Sequence, residues 1–292
     1  MDIKEDNMKR TIRIGGSISG VIATGSFQNL RPTFTWEETY EEDIQPNKID
    51  FNDANVEKRI KQLYEKSFNM LKEAEQKAII ERIQREREDL RFMISPEGNI
   101  LPSVTSIIGY DADFFTVPQD LTQYASQGNI IDKRVKHYIT TGKWLQGKEL
   151  KDCWTDIVIL TRGGLRLSVD TGDFPAFLER YAVKDMKVGE RFFFDLEGYT
   201  GEPDFFGKPE FKEALPILTV FDVKRTPNKI SNGLQLSAYA KKFDIKQGII
   251  ISINDKTAQG YSKPIIYDED ALNGYFKMFK QKQEKFKQRY NI

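Results

Sequence analysis

The 292-residue sequence has one cysteine, Cys153, and one histidine, His137. A single thiol closes no disulfide framework. One Cys and one His build neither a structural zinc site nor a four-cysteine iron–sulfur cluster within the chain. A reducing compartment is the simplest context. An excess of charge is also missing, since 44 Lys and Arg balance 44 Asp and Glu. That excludes a histone-like polycation but not a local basic groove. Long apolar runs are absent too: the longest, at 249–253, is far below the roughly 20 residues that cross a bilayer, and the opening MDIKEDNMKR lacks the apolar core of a signal peptide. The reading is a cytoplasmic protein without a membrane anchor. What the chain does have is aromatic mass, with 20 Phe, 12 Tyr and 3 Trp. That is enough for a packed core, so a wholly disordered chain is excluded. The length predicts one or two domains.

Residues 11–36 alternate apolar and small positions (Ile12, Ile14, Ile18, Val21, Ile22) around Gly15, Gly16, Gly20 and Gly25, a strand-and-turn pattern. A phosphate loop needs a strand that leads into a helix. Pro32 and the PTFT stretch continue the strand pattern instead, so the glycines read as turns of a small β-meander. Residues 37–53 set seven acids against Lys48 and read as a solvated connector. From 55 to 92, Val56, Ile60, Leu63, Phe68, Leu71, Ala78 and Ile83 recur at helical steps with no Gly or Pro, predicting a helix of roughly 55 Å. Its apolar repeat drifts from a strict heptad, which favours an arm packed on the main domain over a dimerising coil. The expected division is therefore a β-rich segment with its connector (1–54), a long helix (55–92) and a main domain (93–292).

Within the main domain, SPEGNILPSVTSI reads as a hairpin that runs into a helix cap. Residues 121–126, 130–139 and 177–181 read as helices, and 156–160 and 165–169 as short strands. Apolar runs follow at 192–196, 203–206 and 217–223, then a helix at 234–243, strands at 248–253 and 264–267, and a basic helix at 272–290. Strands on both sides of a helix indicate a mixed α/β sheet.

The chemistry concentrates in GEPDFFG (201–207), TVFDVKRT (219–226) and LQLSAYA (234–240). Asp222 and Lys224 are two apart on an apolar strand and so share a face. An acid and a lysine at the end of a buried strand are costly unless they bind something. Asp204 ends the preceding short strand, and if the two strands are neighbours, two carboxylates and one ammonium converge. Two carboxylates suit a hard divalent cation such as Mg²⁺ or Mn²⁺ with a phosphate in its shell. Such an ion polarises a phosphoryl oxygen, and the lysine orients a water or neutralises charge developing on phosphorus. The plain alternative is a surface hairpin with an ion pair.

The order Gly-X-Pro-Asp, apolar-Asp-X-Lys, Gln-Leu-X-X-Tyr-Ala resembles the PD-(D/E)XK nuclease superfamily, in its RecB-nuclease-like branch with its many phage exonucleases. The resemblance covers roughly residues 101–253. It implies a restriction-endonuclease-like mixed β-sheet core flanked by helices, with Asp204, Asp222 and the carbonyl of Val223 as metal ligands and Lys224 as the catalytic lysine. It sets Gln235 and Tyr239, four apart on one helix face, near the site and the DNA. LPSVTSII (101–108) is similar to a segment that opens such domains. YASQGNIIDKRVKHYITTGKW is similar to the family's first helix, whose Gly-X-X-X-His pattern supplies a metal-ligating histidine. Counting from Gly128, that position is Asp132 here. His137, five residues on, turns roughly 140° away and does not replace it. Asp132 is the expected third ligand, because a carboxylate suits Mg²⁺ at least as well as an imidazole does. For the family's upstream glutamate the candidates are Glu179, Glu190 and Glu197, the last being nearest the Asp204 strand, while Glu202 falls off the face of Asp204. GSFQNLRPTFTW resembles N-terminal segments attached to such nucleases.

Two further signals remain. Asp170-Thr171-Gly172 is the aspartic-protease triplet, but that chemistry needs two such aspartates and the chain has no second copy. The last helix interleaves Lys277, Lys280, Lys282, Lys285, Lys287 and Arg289 with aromatics. Lys277 and Lys280, with Arg225 and Lys229, are candidate phosphate contacts; the alternative is a core helix with a solvated face. The resulting expectation is a Mg²⁺- or Mn²⁺-dependent deoxyribonuclease, exonuclease favoured over endonuclease. Its partners would be DNA and proteins of phage or mobile-element replication and recombination. The competing reading is an inactive nucleic-acid-binding or assembly protein on the same fold, for which the missing histidine speaks.

Overall fold

The structure is a computed structural model and describes residues 8–19, 22–25, 28–30, 33–44, 54–111, 120–145, 172–253 and 257–292. The expected strands at 156–160 and 165–169, Cys153, and Asp170 with Thr171 lie outside these residues. The chain divides into two units, Met1–Asp89 and Leu90–Ile292.

In the first unit, β1 (Met8–Ser19) pairs antiparallel with β4 (Thr33–Ile44) along twelve residues, and β2 (Ile22–Gly25) pairs with β3 (Gln28–Leu30) between them. Residues 37–44 are thus strand, not connector. The register sets Lys9 opposite Asp43 and Arg10 opposite Glu42, residue types of opposite charge at partnered positions, and Thr39 and Tyr40 between the acids, with Trp36 just before them, favour the extended backbone. Helix α1 (Ala54–Glu86) spans 33 residues, about 50 Å. It stops six residues before the expected end. There Arg87 grips the Asp89 carboxylate through two hydrogen bonds, 2.7 and 2.9 Å, and holds the chain in a turn.

The second unit opens with the expected hairpin, β5 (Phe92–Ile94) and β6 (Ile100–Pro102). Ser103 then caps α2 (Val104–Gly109), its hydroxyl accepting from the Ser106 N–H at 3.1 Å. Helix α3 (Asp120–Thr141) is one helix, not two. A mid-helix glycine costs about 1 kcal/mol, and the buried face of Ile130, Ile131, Arg134 and Val135 outweighs it. Helix α4 (Phe174–Arg180) starts on the Asp173 cap.

Next come β7 (Val183–Val188), β8 (Phe192–Phe194), β9 (Tyr199–Gly201), β10 (Phe205–Pro209), β11 (Thr219–Lys224), α5 (Lys229–Phe243), β12 (Gly248–Ser252), β13 (Ile265–Tyr267) and α6 (Glu269–Tyr290). Five strands form one sheet in the order β13-β12-β11-β10-β7. Only the β11–β12 pair is parallel, and parallel neighbours need a crossover, which α5 supplies. All five residues of β12 are buried, as a central parallel strand requires. Phe205, Phe221, Val223, Ile249 and Ile251 pack with Ile131 and Val135 of α3 and Phe174 and Phe177 of α4. The mixed α/β architecture read from the sequence, a mixed sheet flanked by helices, is the one observed, and a long helix closes the chain.

Candidate active site

The site forms where β11 and β10 meet. Alternation along β11 turns Phe221 and Val223 into the core and Asp222 and Lys224 to the other face. Asp222 is wholly buried, with the Lys224 ammonium 2.7 Å from its Oδ2. Asp204 lies just before β10 instead of within a strand. Its Oδ2 accepts from the Val223 N–H at 2.6 Å, and its carbonyl from the Gly189 N–H at 3.0 Å. The third carboxylate, Asp132, comes from α3 and is 3.2 Å from Lys136 one turn later.

These groups open into a cavity of about 480 Å³, lined among others by Asp132, Lys136, Glu202, Asp204, Lys224 and Arg225. Gln235 and Tyr239, one turn apart on α5, form another wall, the Gln235 amide donating to the phenol oxygen at 2.9 Å. A glycine is needed at 201: a Cβ there would lie 2.6 Å from Cε1 of Tyr239 and 3.0 Å from Phe192.

Burial, and then the neighbouring Asp204 charge, push the Asp132 carboxyl up to about 7. The same two causes raise Asp222, although Lys224 pulls it the other way. Burial works against the Lys224 charge, but Asp222 and Asp204 outweigh it and raise its pKa, so Lys224 stays an ammonium. Burial keeps Tyr239 a neutral phenol.

Among the described residues, no three of His, Cys, Asp and Glu already stand together as a metal cluster. The Asp204 charge acts on both other aspartates and raises each of them. Oδ1 of Asp132 and Oδ1 of Asp222 are buried without a hydrogen-bond partner. Hard oxygen donors that are orphaned and repel one another fit a hard divalent cation.

Of the expected residues, Asp132, Asp204, Val223, Lys224, Arg225, Gln235 and Tyr239 line the cavity, and Asp222 is buried against Lys224 beneath it. Lys229, Lys277 and Lys280 are not brought there. Lys229 begins α5 and is exposed, Lys277 is exposed on α6, and Lys280 is held by Glu197 at 3.0 Å and Gln283 at 2.7 Å. Of the glutamates, Glu202 is the one at the cavity; Glu179, Glu190, Glu197 and His137 do not line it. The chain from 202 to 204 is not strand, so alternation does not separate Glu202 from Asp204. Sequence reasoning also passed over Lys136, Arg191, Arg91 and Ser103. Only Lys136 had a signal, its i, i+4 spacing from Asp132.

No family model matches the chain, and no curated protein does. Among solved structures, an alkaline exonuclease (LHK-Exo) from Laribacter hongkongensis overlaps 57% of this chain and 96% of its own, at 10% identity and a TM-score of 0.22. SSO0001 overlaps 60% of this chain and 82% of its own, at 11% identity and a TM-score of 0.21. Overlaps this distant carry no assignment of chemistry, which rests on the residues of the cavity.

Proposed function

We propose that the chain is a metal-dependent nuclease that hydrolyses DNA phosphodiester bonds, with residues 93–292 as the nuclease domain. The observation that carries this reading is the Asp222–Lys224 pair, buried beside Asp204 at the end of a central strand and giving onto an open polar cavity. A purely structural ion pair would not leave an oxygen of Asp222 itself and one of Asp132, from α3, buried without a hydrogen-bond partner. The resemblance of the three sequence pieces to PD-(D/E)XK nucleases points the same way.

Asp132, Asp204, Asp222 and the Val223 carbonyl would hold a Mg²⁺ or Mn²⁺ ion, which supplies Lewis acidity toward a phosphoryl oxygen when bound. Lys224, kept cationic by two carboxylates, neutralises the charge that grows on the phosphoryl oxygens in the transition state. The Gln235 amide fixes the Tyr239 phenol by its oxygen, which leaves the O–H to donate to a phosphate. Arg91, Arg191 and Arg225 on the cavity walls suit flanking phosphates of the strand. Exonuclease action, a host-cytoplasmic setting and a place in phage or mobile-element recombination belong to this proposal by resemblance alone.

The test is cleavage of linear and circular DNA, single- and double-stranded, with Mg²⁺, Mn²⁺ or EDTA. Wild type should cut only with metal, and Lys224→Met or Asp222→Asn should lower the rate by about 100-fold or more. A circular substrate that survives identifies an exonuclease. A wild type that binds DNA yet cuts none of these substrates would replace the enzyme with the binding-module reading.

A further inference from the structure

Glu202 takes no part in the chemistry above, yet both of its oxygens are engaged. Oε1 accepts from Lys136 Nζ at 3.0 Å, and Oε2 from Arg191 Nη2 at 3.0 Å. The same Lys136 ammonium is 3.2 Å from Asp132 Oδ2. Arg191, Glu202, Lys136 and Asp132 thus form a row of alternating charge along the cavity wall, and the row ends on a carboxylate assigned to the cation. Stability does not account for its outer pair, because Arg191 and Glu202 are 50 and 37% exposed and an ion pair so placed adds little.

The row does divide one ammonium between two carboxylates. Lys136 competes with a divalent cation for Asp132, since both are cations drawn to one carboxylate and they repel each other. Glu202 draws the ammonium the other way, and Arg191 fixes the carboxylate that does so. Meanwhile Asp132 Oδ1 has no hydrogen-bond partner and is the oxygen left for the cation.

We propose that Glu202, oriented by Arg191, is a positioning residue that shares the Lys136 ammonium with Asp132 and takes it over when a divalent cation occupies Asp132. The inference rests on the metal-dependent reading of the same cavity.

The experiment is calorimetric titration of Mn²⁺ into the full chain at pH 8, with melting temperatures in EDTA alongside. Glu202→Gln should raise the Mn²⁺ Kd about tenfold, because Lys136 then rests on Asp132 alone. Lys136→Met should not raise it. In the Lys136→Met background, Glu202→Gln should add less than about twofold. Arg191→Met should act in the same direction as Glu202→Gln, more weakly, and only while Lys136 is present. Equal weakening by Glu202→Gln in both backgrounds would make Glu202 a direct ligand and overturn the proposal. So would a lowered melting temperature with an unchanged Kd. If wild type binds no Mn²⁺, the metal-dependent function falls first and takes this inference with it. If wild type binds and the variants show no such dependence, only the inference falls.

Discussion

At the scale of single residues, the cavity is expensive without a cation. Asp132 and Asp222 are raised by burial and by Asp204, so the folded protein holds protons there that the unfolded chain has already released. Stability from such groups is complete below the unfolded pKa and is lost as pH rises toward the folded one. For Asp132 that window runs from about 4 to about 7, at up to about 1.4 kcal/mol per pH unit for one group. Carboxyls with lowered pKa, such as Asp89 and Asp185, titrate below the window and do not oppose the trend. In EDTA, the melting temperature should therefore fall between pH 5 and pH 7.5. Asp132→Asn should flatten the fall, and Mg²⁺ should raise the melting temperature more at pH 7.5 than at pH 5 because protons no longer compete. A flat profile for wild type in EDTA would mean the carboxyls titrate normally.

At the scale of elements, what could be read depended on whether the signal was local. The central strands and the crossover helix α5 were legible because apolar runs and a helical period are local. The start of α5 was missed by five residues, although its cap is written in the sequence. Asn228 accepts from the Ile230 and Ser231 N–H groups at 3.1 and 3.0 Å, and its own N–H donates to the Asn232 side chain at 2.7 Å. Asn228→Ala should cost about 1 kcal/mol and lower the melting temperature by a few degrees. Cleavage per folded molecule should not change, since Asn228 touches nothing in the cavity. An unchanged melting temperature would show that burial of the helix, not its cap, sets its stability. Strand β4 was misread for the opposite reason: seven acids between 37 and 53 look solvated until a partner strand with Lys9 and Arg10 is known, and that partner is twenty or more residues away. The stretches 121–126 and 130–139 join into the single helix α3 because the buried face of Ile130, Ile131 and Val135 outweighs the cost of Gly128.

At the scale of the whole molecule, the site is drawn from segments far apart in the chain: the end of β6, α3, the turn before β10, β11 and α5. Asp222 and Lys224 could be named in advance because their spacing follows strand alternation, and Asp204 because it ends the Gly-X-Pro-Asp piece just before β10. Glu202 and Arg191 could not, and Lys136 only by its spacing from Asp132, because their meeting depends on how α3 docks against a non-strand segment 66 residues later. Every one of these residues lies within Leu90–Ile292, which also contains the five-stranded sheet and the core packed on it. A unit with its own core and a complete cavity should fold alone. A fragment of residues 90–292 should therefore melt cooperatively, bind Mn²⁺ with the full chain's affinity and retain cleavage within about tenfold. If the fragment melts cooperatively and binds Mn²⁺ but has lost DNA binding, residues 1–89 supply the grip on the substrate, which the exposed lysines of α6 were expected to provide. A fragment that does not fold would overturn the independence of Leu90–Ile292.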